Sequence, residues 1–234
     1  MSEVNQELRD RNYNIWARRN PAIVSIVFPL LAVIYFFQKY TAELSSVRYI
    51  VGVILSFGSI IPALFFFYQS SIREISVLLV EWPLFSIFGR PAVNLMKRKN
   101  SILSSQRKER IIAKAKAAGI DAFYTDEGKS ESCFNRRKRV REAFEKIRES
   151  SRENPILFEF NCTYGFFRNL SGGLIVDLII CGGLAYYNCK YLLNVEQLIG
   201  VSVLIIAILL FFSLVCTYFS AIRYAKRVYV LYDN

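Results

Sequence analysis

The chain of 234 residues is 53% hydrophobic with a mean hydropathy of +0.28, yet it carries 30 Lys+Arg against 19 Asp+Glu, a formal charge of +11. Histidine is absent, which excludes Ser-His-Asp and Cys-His catalysis and every histidine-containing metal site. The five cysteines (Cys133, Cys162, Cys181, Cys189, Cys216) form no CxxC pair, so no cysteine zinc site or complete disulfide framework is expected, and they read as small apolar residues.

Apolar excess and positive charge must occupy different parts of the chain. A hydrocarbon core of ~30 Å takes about 20 apolar residues in a helix, and four stretches fit. They run from Pro21 to Gln38, Tyr49 to Ile72, Asn169 to Cys189 and Gln197 to Ile222. The first is preceded by 20 residues holding Glu3, Glu7 and Asp10, and no A-x-A-like site follows it, so it reads as a retained anchor and not a cleaved signal peptide. Pro29 and Pro62 lie inside the first two spans, where proline bends a helix. Short loops, Lys39 to Arg48 and Lys190 to Glu196, make two hairpins. The N-terminal tail, the segment Arg73 to Arg168 and the tail after Ile222 hold 27 of the 30 basic residues, which orients both termini toward the cytoplasm.

The expected fold is therefore an all-α membrane protein, four transmembrane helices in two hairpins with a helical cytoplasmic insertion between spans two and three. Its parts are a tail (1–20), hairpin 1 (21–72), a basic cytoplasmic domain (73–168), hairpin 2 (169–222) and a second tail (223–234). Within the insertion, Ile72 to Phe88 is apolar but broken by Arg73, Glu74, Glu81 and Pro83, suiting a helix along the headgroups with Trp82 as interfacial anchor. Ser104 or Ser105 caps a helix that Gly119 stops after Ala118. Asp121 to Ser132 reads as a polar linker. Asn135 to Arg152 forms a charged helix with Val140, Phe144 and Ile147 on one face and Glu142 and Lys146 at i,i+4 spacing, ended by Pro155.

Asp177 is the one ionisable residue inside a span, and such a group faces a bundle interior and finds a partner. It is either a proton or cation contact or a hydrogen-bonded structural residue. Gly172-Gly173 and Gly182-Gly183, ten residues apart, share a helix face and allow close packing. Near the membrane boundary Arg90, Asn94, Glu159, Asn161, Tyr164, Arg168 and Asn169 offer a polar network for ligand binding or a hinge. The run Arg136, Arg137, Lys138, Arg139 and Arg141 is a solvated helix face, a contact for anionic lipid or a partner, or a phosphate site. No aromatics interleave with it, so nucleic acid is the weakest of these options.

The pattern Gly89-Arg90-Pro91, a basic helix-forming stretch, and then Glu159, Asn161, Tyr164, Gly165, Phe166, Arg168, Asn169 and Leu170 before a glycine-rich span resembles a family of uncharacterised bacterial multi-pass membrane proteins. The likeness covers Gly89 to Gly173 and implies fold and membrane location, with no activity to transfer. In architecture alone the layout resembles the four-span effectors of bacterial anti-phage nucleotide signalling. No GxxxxGK[ST], GxGxxG or GxSxG motif occurs, and no catalytic residues, cofactor or metal are expected. The expected function is a non-enzymatic, homo-oligomeric effector of a bacterial inner membrane. Its basic domain takes an anionic ligand, such as a nucleotide, or a cytosolic protein, and alters permeability. The alternatives are an anchor subunit that recruits a cytosolic partner, and a small transporter.

Overall fold

The computed structural model describes residues 3–28, 65–97, 99–120, 133–191 and 197–234. The remainder of the first two expected spans, with Pro29, Pro62 and the loop between them, lies outside the described residues. So do the linker Asp121 to Ser132 and residues 192–196 of the second hairpin loop. Among the described residues 89% are helical and none is in a strand. Two helices are long and apolar enough to cross a membrane, over Pro155–Tyr187 and Gly200–Asp233.

In order, α1 (Glu3–Tyr13) passes through a π-helical turn (Asn14–Arg19) into α2 (20–28), and α3 (65–76) passes through a second π-helical turn (Val77–Glu81) into α4 (Trp82–Ile87). Then come α5 (Pro91–Leu95), α6 (Ser105–Ala117), α7 (Cys133–Ser150), α8 (Pro155–Tyr191) and α9 (Gln197–Asp233). Contacts divide the chain into two compact units. The first comprises Met1–Glu81 with Gly165–Thr217, the second Trp82–Tyr164 with Tyr218–Asn234.

The first unit buries many polar side chains and leaves many of its large apolar ones outside. Ser25, Ser76, Asn169, Ser171, Asp177, Ser213 and Thr217 are buried, while Leu204, Phe211 and Phe212 are 60–63% exposed. Only 17% of the most apolar stretch of α9 is buried, the reverse of a core helix in a water-soluble domain. Polar residues join the helices. The Ser171 hydroxyl lies 2.8 Å from that of Ser213 and 3.2 Å from that of Thr217, and Ser213 donates to the Phe167 carbonyl at 3.2 Å. Asn169 donates its amide to the Ala17 carbonyl within the first π-turn. A Cβ on Gly172 would collide with Ser76, and one on Gly173 with Ser25. Gly182 and Gly183 meet nothing within 4 Å among the described residues.

The second, basic unit has a conventional core. Ile111 and Ala115 of α6, Val140, Ala143, Phe144 and Ile147 of α7, Leu157 of α8, and Ala225, Val228 and Tyr229 of α9 are all buried. The spacing of the α7 residues is that of the apolar face expected from the sequence. Ser104 caps α6 by accepting a hydrogen bond from the Arg107 amide at 3.4 Å, and Gly119 follows the helix at φ +70°, a conformation that favours glycine. Pro155 does not end α7. That helix stops at Ser150, and Pro155 opens α8, where a missing amide hydrogen costs nothing and the Asn154 side chain accepts from the amides of Ile156 and Leu157 at 3.0 and 3.3 Å. Helix α8 then carries the Glu159 to Leu170 element into the apolar stretch without a break.

Residues 223–234 are not a loose tail. Helix α9 continues through Arg223, Lys226 and Arg227 to Asp233, and Tyr229, fully buried, donates to the Ala92 carbonyl at 3.0 Å and meets the Phe144 ring edge-on. Beyond it the Asp233 carboxylate, 3% exposed, accepts Nε and Nη2 of Arg110 at 2.9 and 2.8 Å and Nε of Arg107 at 2.9 Å. The Arg110 hydrogen bonds first, then that of Arg107, draw this carboxyl down to about 2, against the opposing effect of burial. A depressed carboxyl stabilises the fold fully above its ordinary value and loses that contribution as pH falls through the lowered one. Wild-type protein is therefore expected to lose more stability than Asp233→Asn as pH falls from about 4 to about 2. Parallel acid-denaturation curves for the two proteins would refute the clamp.

Candidate functional site

In the basic unit, the Gly89-Arg90-Pro91 pattern has a geometric basis. Gly89 sits at φ +77°, and a Cβ there would lie 2.8 Å from the Asn94 amide nitrogen, so both backbone and space require glycine. Asn94 donates to the Phe88 carbonyl at 2.8 Å across this turn. Arg90 is the extended residue preceding α5, and Pro91 is its first helical residue. The turn sets Phe88 against Tyr218 of α9, ring centroids 5.3 Å apart.

Next to this pair opens a cleft of about 330 Å³. Phe88, Pro91, Leu95, Ile102, Tyr218 and Ile222 form its apolar walls, and Asn94, Asn100, Lys97 and Lys99 its polar edge. No carboxylate lines it among the described residues. Lys97 and Lys99 are exposed, whereas Lys108 of α6 is 6% exposed and donates from Nζ to the carbonyls of Lys97, at 2.8 Å, and Asn100. Burial pushes the Lys108 ammonium below the ordinary lysine range, and the two carbonyls are what make the buried charge tolerable. Lys108 thus pins the turn that presents Lys97 and Lys99 at the cleft.

Of the other network residues expected from sequence, Glu159 is exposed and Asn161 half-buried on α8, while Tyr164 stacks on Tyr224 with ring centroids 6.4 Å apart. Arg90, Asn94, Glu159, Asn161 and Tyr164 belong to the basic unit, and Arg168 and Asn169 to the other. There Arg168 pairs with Glu81 at 3.5 Å, both side chains largely buried, and its Nε lies 3.4 Å from the side-chain Oδ1 of Asn169. In the basic run on α7, Arg137, Lys138 and Arg141 are exposed, Arg136 and Arg139 half-buried, and Arg141 pairs with Glu145 at 3.1 Å.

Asp177 is fully buried in the first unit. Tyr68 donates to its Oδ1 at 2.9 Å, and the Tyr68 oxygen lies 2.8 Å from that of Ser25. Its Oδ2 has no partner among the described residues. Sequence reasoning found Asp177 as the lone charge in a span. It missed Tyr68 and Ser25, 109 and 43 residues away in their respective contacts. It also missed the cleft, although the run Lys97 to Asn100 after the proline-initiated turn was a signal for it.

No protein-family model, no curated protein and no solved structure matches the chain.

Proposed function

We propose that this chain is an integral membrane effector, not an enzyme, whose basic helical unit takes an anionic ligand and whose membrane unit then changes permeability. The cleft beside Phe88 and Tyr218 is the observation that carries this reading. Among the described residues its charged lining groups are Lys97 and Lys99, set over aromatic and aliphatic walls, a combination suited to a phosphate group attached to a flat or apolar body. The inside-out burial of the first unit supports membrane insertion, and polar groups inside such a bundle are what an ion path requires. In this reading four spans form two hairpins, both termini and the basic unit face the cytoplasm of a bacterium, and copies of the chain associate. The architectural likeness to defence effectors fits the same scheme, with a nucleotide as the ligand.

The test uses purified full-length chain in phosphatidylcholine vesicles loaded with potassium, with pyrophosphate, ATP and a cyclic dinucleotide as anionic probes. At least one probe is expected to change potassium leakage. The Lys97→Glu, Lys99→Glu double variant is expected to weaken that response about tenfold, equivalent to ~1.4 kcal/mol of binding. Leakage identical in both proteins under every probe would end this reading.

A further inference from the structure

Helix α8 places Asp177 one turn past Gly173, and the absent Cβ at Gly173 lets Ser25 of α2 close in on the helix. Tyr68 of α3 completes the group. A phenol has one proton to donate. At 2.9 Å from Asp177 Oδ1 against 3.4 Å from the Gly173 carbonyl, that proton goes to the carboxylate. The Ser25 hydroxyl, 2.8 Å from the phenol oxygen, then donates to Tyr68. The result is a directed chain, Ser25 to Tyr68 to Asp177, ending on a carboxylate whose second oxygen is buried and has no partner among the described residues.

A buried carboxylate without a compensating cation is costly. Among the described residues the groups around it supply none. Tyr68 and, one turn further along α8, Cys181 are its titratable neighbours. On α3, Arg73 and Glu74 are exposed and lie 3.9 Å from each other, and Arg168 of α8 is engaged by Glu81. Residues 20–28 of α2 and α9 up to Phe212 contain no charged or titratable side chain. Structural polar contacts in the same unit look different. The Ser171, Ser213 and Thr217 hydroxyls all find partners, as a purely structural group does.

We propose that Asp177 Oδ2 is a binding position for a monovalent cation, a proton or sodium, taken up within the membrane unit, with Tyr68 and Ser25 orienting the carboxyl. This deepens the permeability reading by naming the ion class, and it rests on that reading for its purpose. Its test does not require leakage. Dicyclohexylcarbodiimide partitions into hydrocarbon and adds to a protonated carboxyl, leaving a stable N-acylurea that mass spectrometry locates in a peptide.

In the full chain in vesicles, Asp177 is expected to be labelled, the rate falling across a series of rising pH and the label vanishing in Asp177→Asn. Slowing by sodium chloride at fixed pH, but not by choline chloride, assigns sodium, and insensitivity to sodium assigns the proton. Labelling of Asp177 only after denaturation in dodecyl sulfate, or at a rate independent of both pH and sodium, would overturn the site. Vesicles that never leak while Asp177 reacts as expected would remove the functional reading and leave the site. Leakage with an inert Asp177 would do the reverse.

Discussion

Tyr229→Ala is expected to destabilise the basic unit by about 3–5 kcal/mol, the range for deleting a fully buried aromatic side chain. The ring is wholly inside, edge-on to Phe144, among Val93, Leu95 and Ile147, so its removal leaves a cavity where α9 meets α7. Since a domain's whole stability is typically about 5–15 kcal/mol, the variant sits near the limit of folding. Tyr229→Phe keeps the ring and strands only the Ala92 carbonyl, for about 1–3 kcal/mol. Hydrogen exchange of the full-length protein in detergent reads both effects, with protection lost across α6 and α7 in the first variant and largely kept in the second. Unchanged protection in Tyr229→Ala would show that the tail helix is not part of this core.

Gly172→Ala and Gly182→Ala are expected to move stability in opposite directions. The added methyl at 172 falls onto the hydroxyl and Cβ of Ser76, with the Ser76 Cα at 3.0 Å. Backbone cannot yield as a flexible side chain does, so α3 and α8 must separate at a cost of about 1–3 kcal/mol. At 182 the methyl meets nothing within 4 Å among the described residues, and replacing a helical glycine by alanine stabilises by roughly 0.5–1 kcal/mol. Melting temperatures in detergent measure both changes. Pairing Gly172→Ala with Ser76→Gly should restore much of the loss if the collision is its cause. Equal shifts for the two single variants would count against close packing at Gly172.

Local signals in the sequence were faithful where the structure is local. Ser104 and Gly119 bracket α6 because capping and left-handed backbone are settled within a few residues. Val140, Phe144 and Ile147 marked the inner face of α7 because helical periodicity is intrinsic to the chain. Pro155 was misread because proline excludes itself from a helix interior and favours the first turn, and the side chain of Asn154 decides between the two. The spacing of Ala225, Val228 and Tyr229 is an apolar stripe of the same kind as that on α7, hidden by Arg223 before it and by Lys226 and Arg227 between its members.

The candidate sites were half legible. Asp177 stands out because carboxylates are rare in apolar stretches. Nothing near it names Tyr68 or Ser25, since which helices meet is fixed by packing at Gly172 and Gly173. Lys108 gave no sign of burial, because a lysine becomes an interior residue only where two carbonyls happen to converge on it.

The core of the basic unit is assembled from stretches far apart in the chain, Val93 to Leu157 and then Ala225 to Tyr229. A ribosome releases them in that order. About 70 residues separate Leu157 from Tyr229, a delay of some seconds at roughly 5–20 residues per second. For that interval the inner faces of α6 and α7 have been synthesised without the ring that closes them, so the newborn chain presents a greasy, positively charged intermediate.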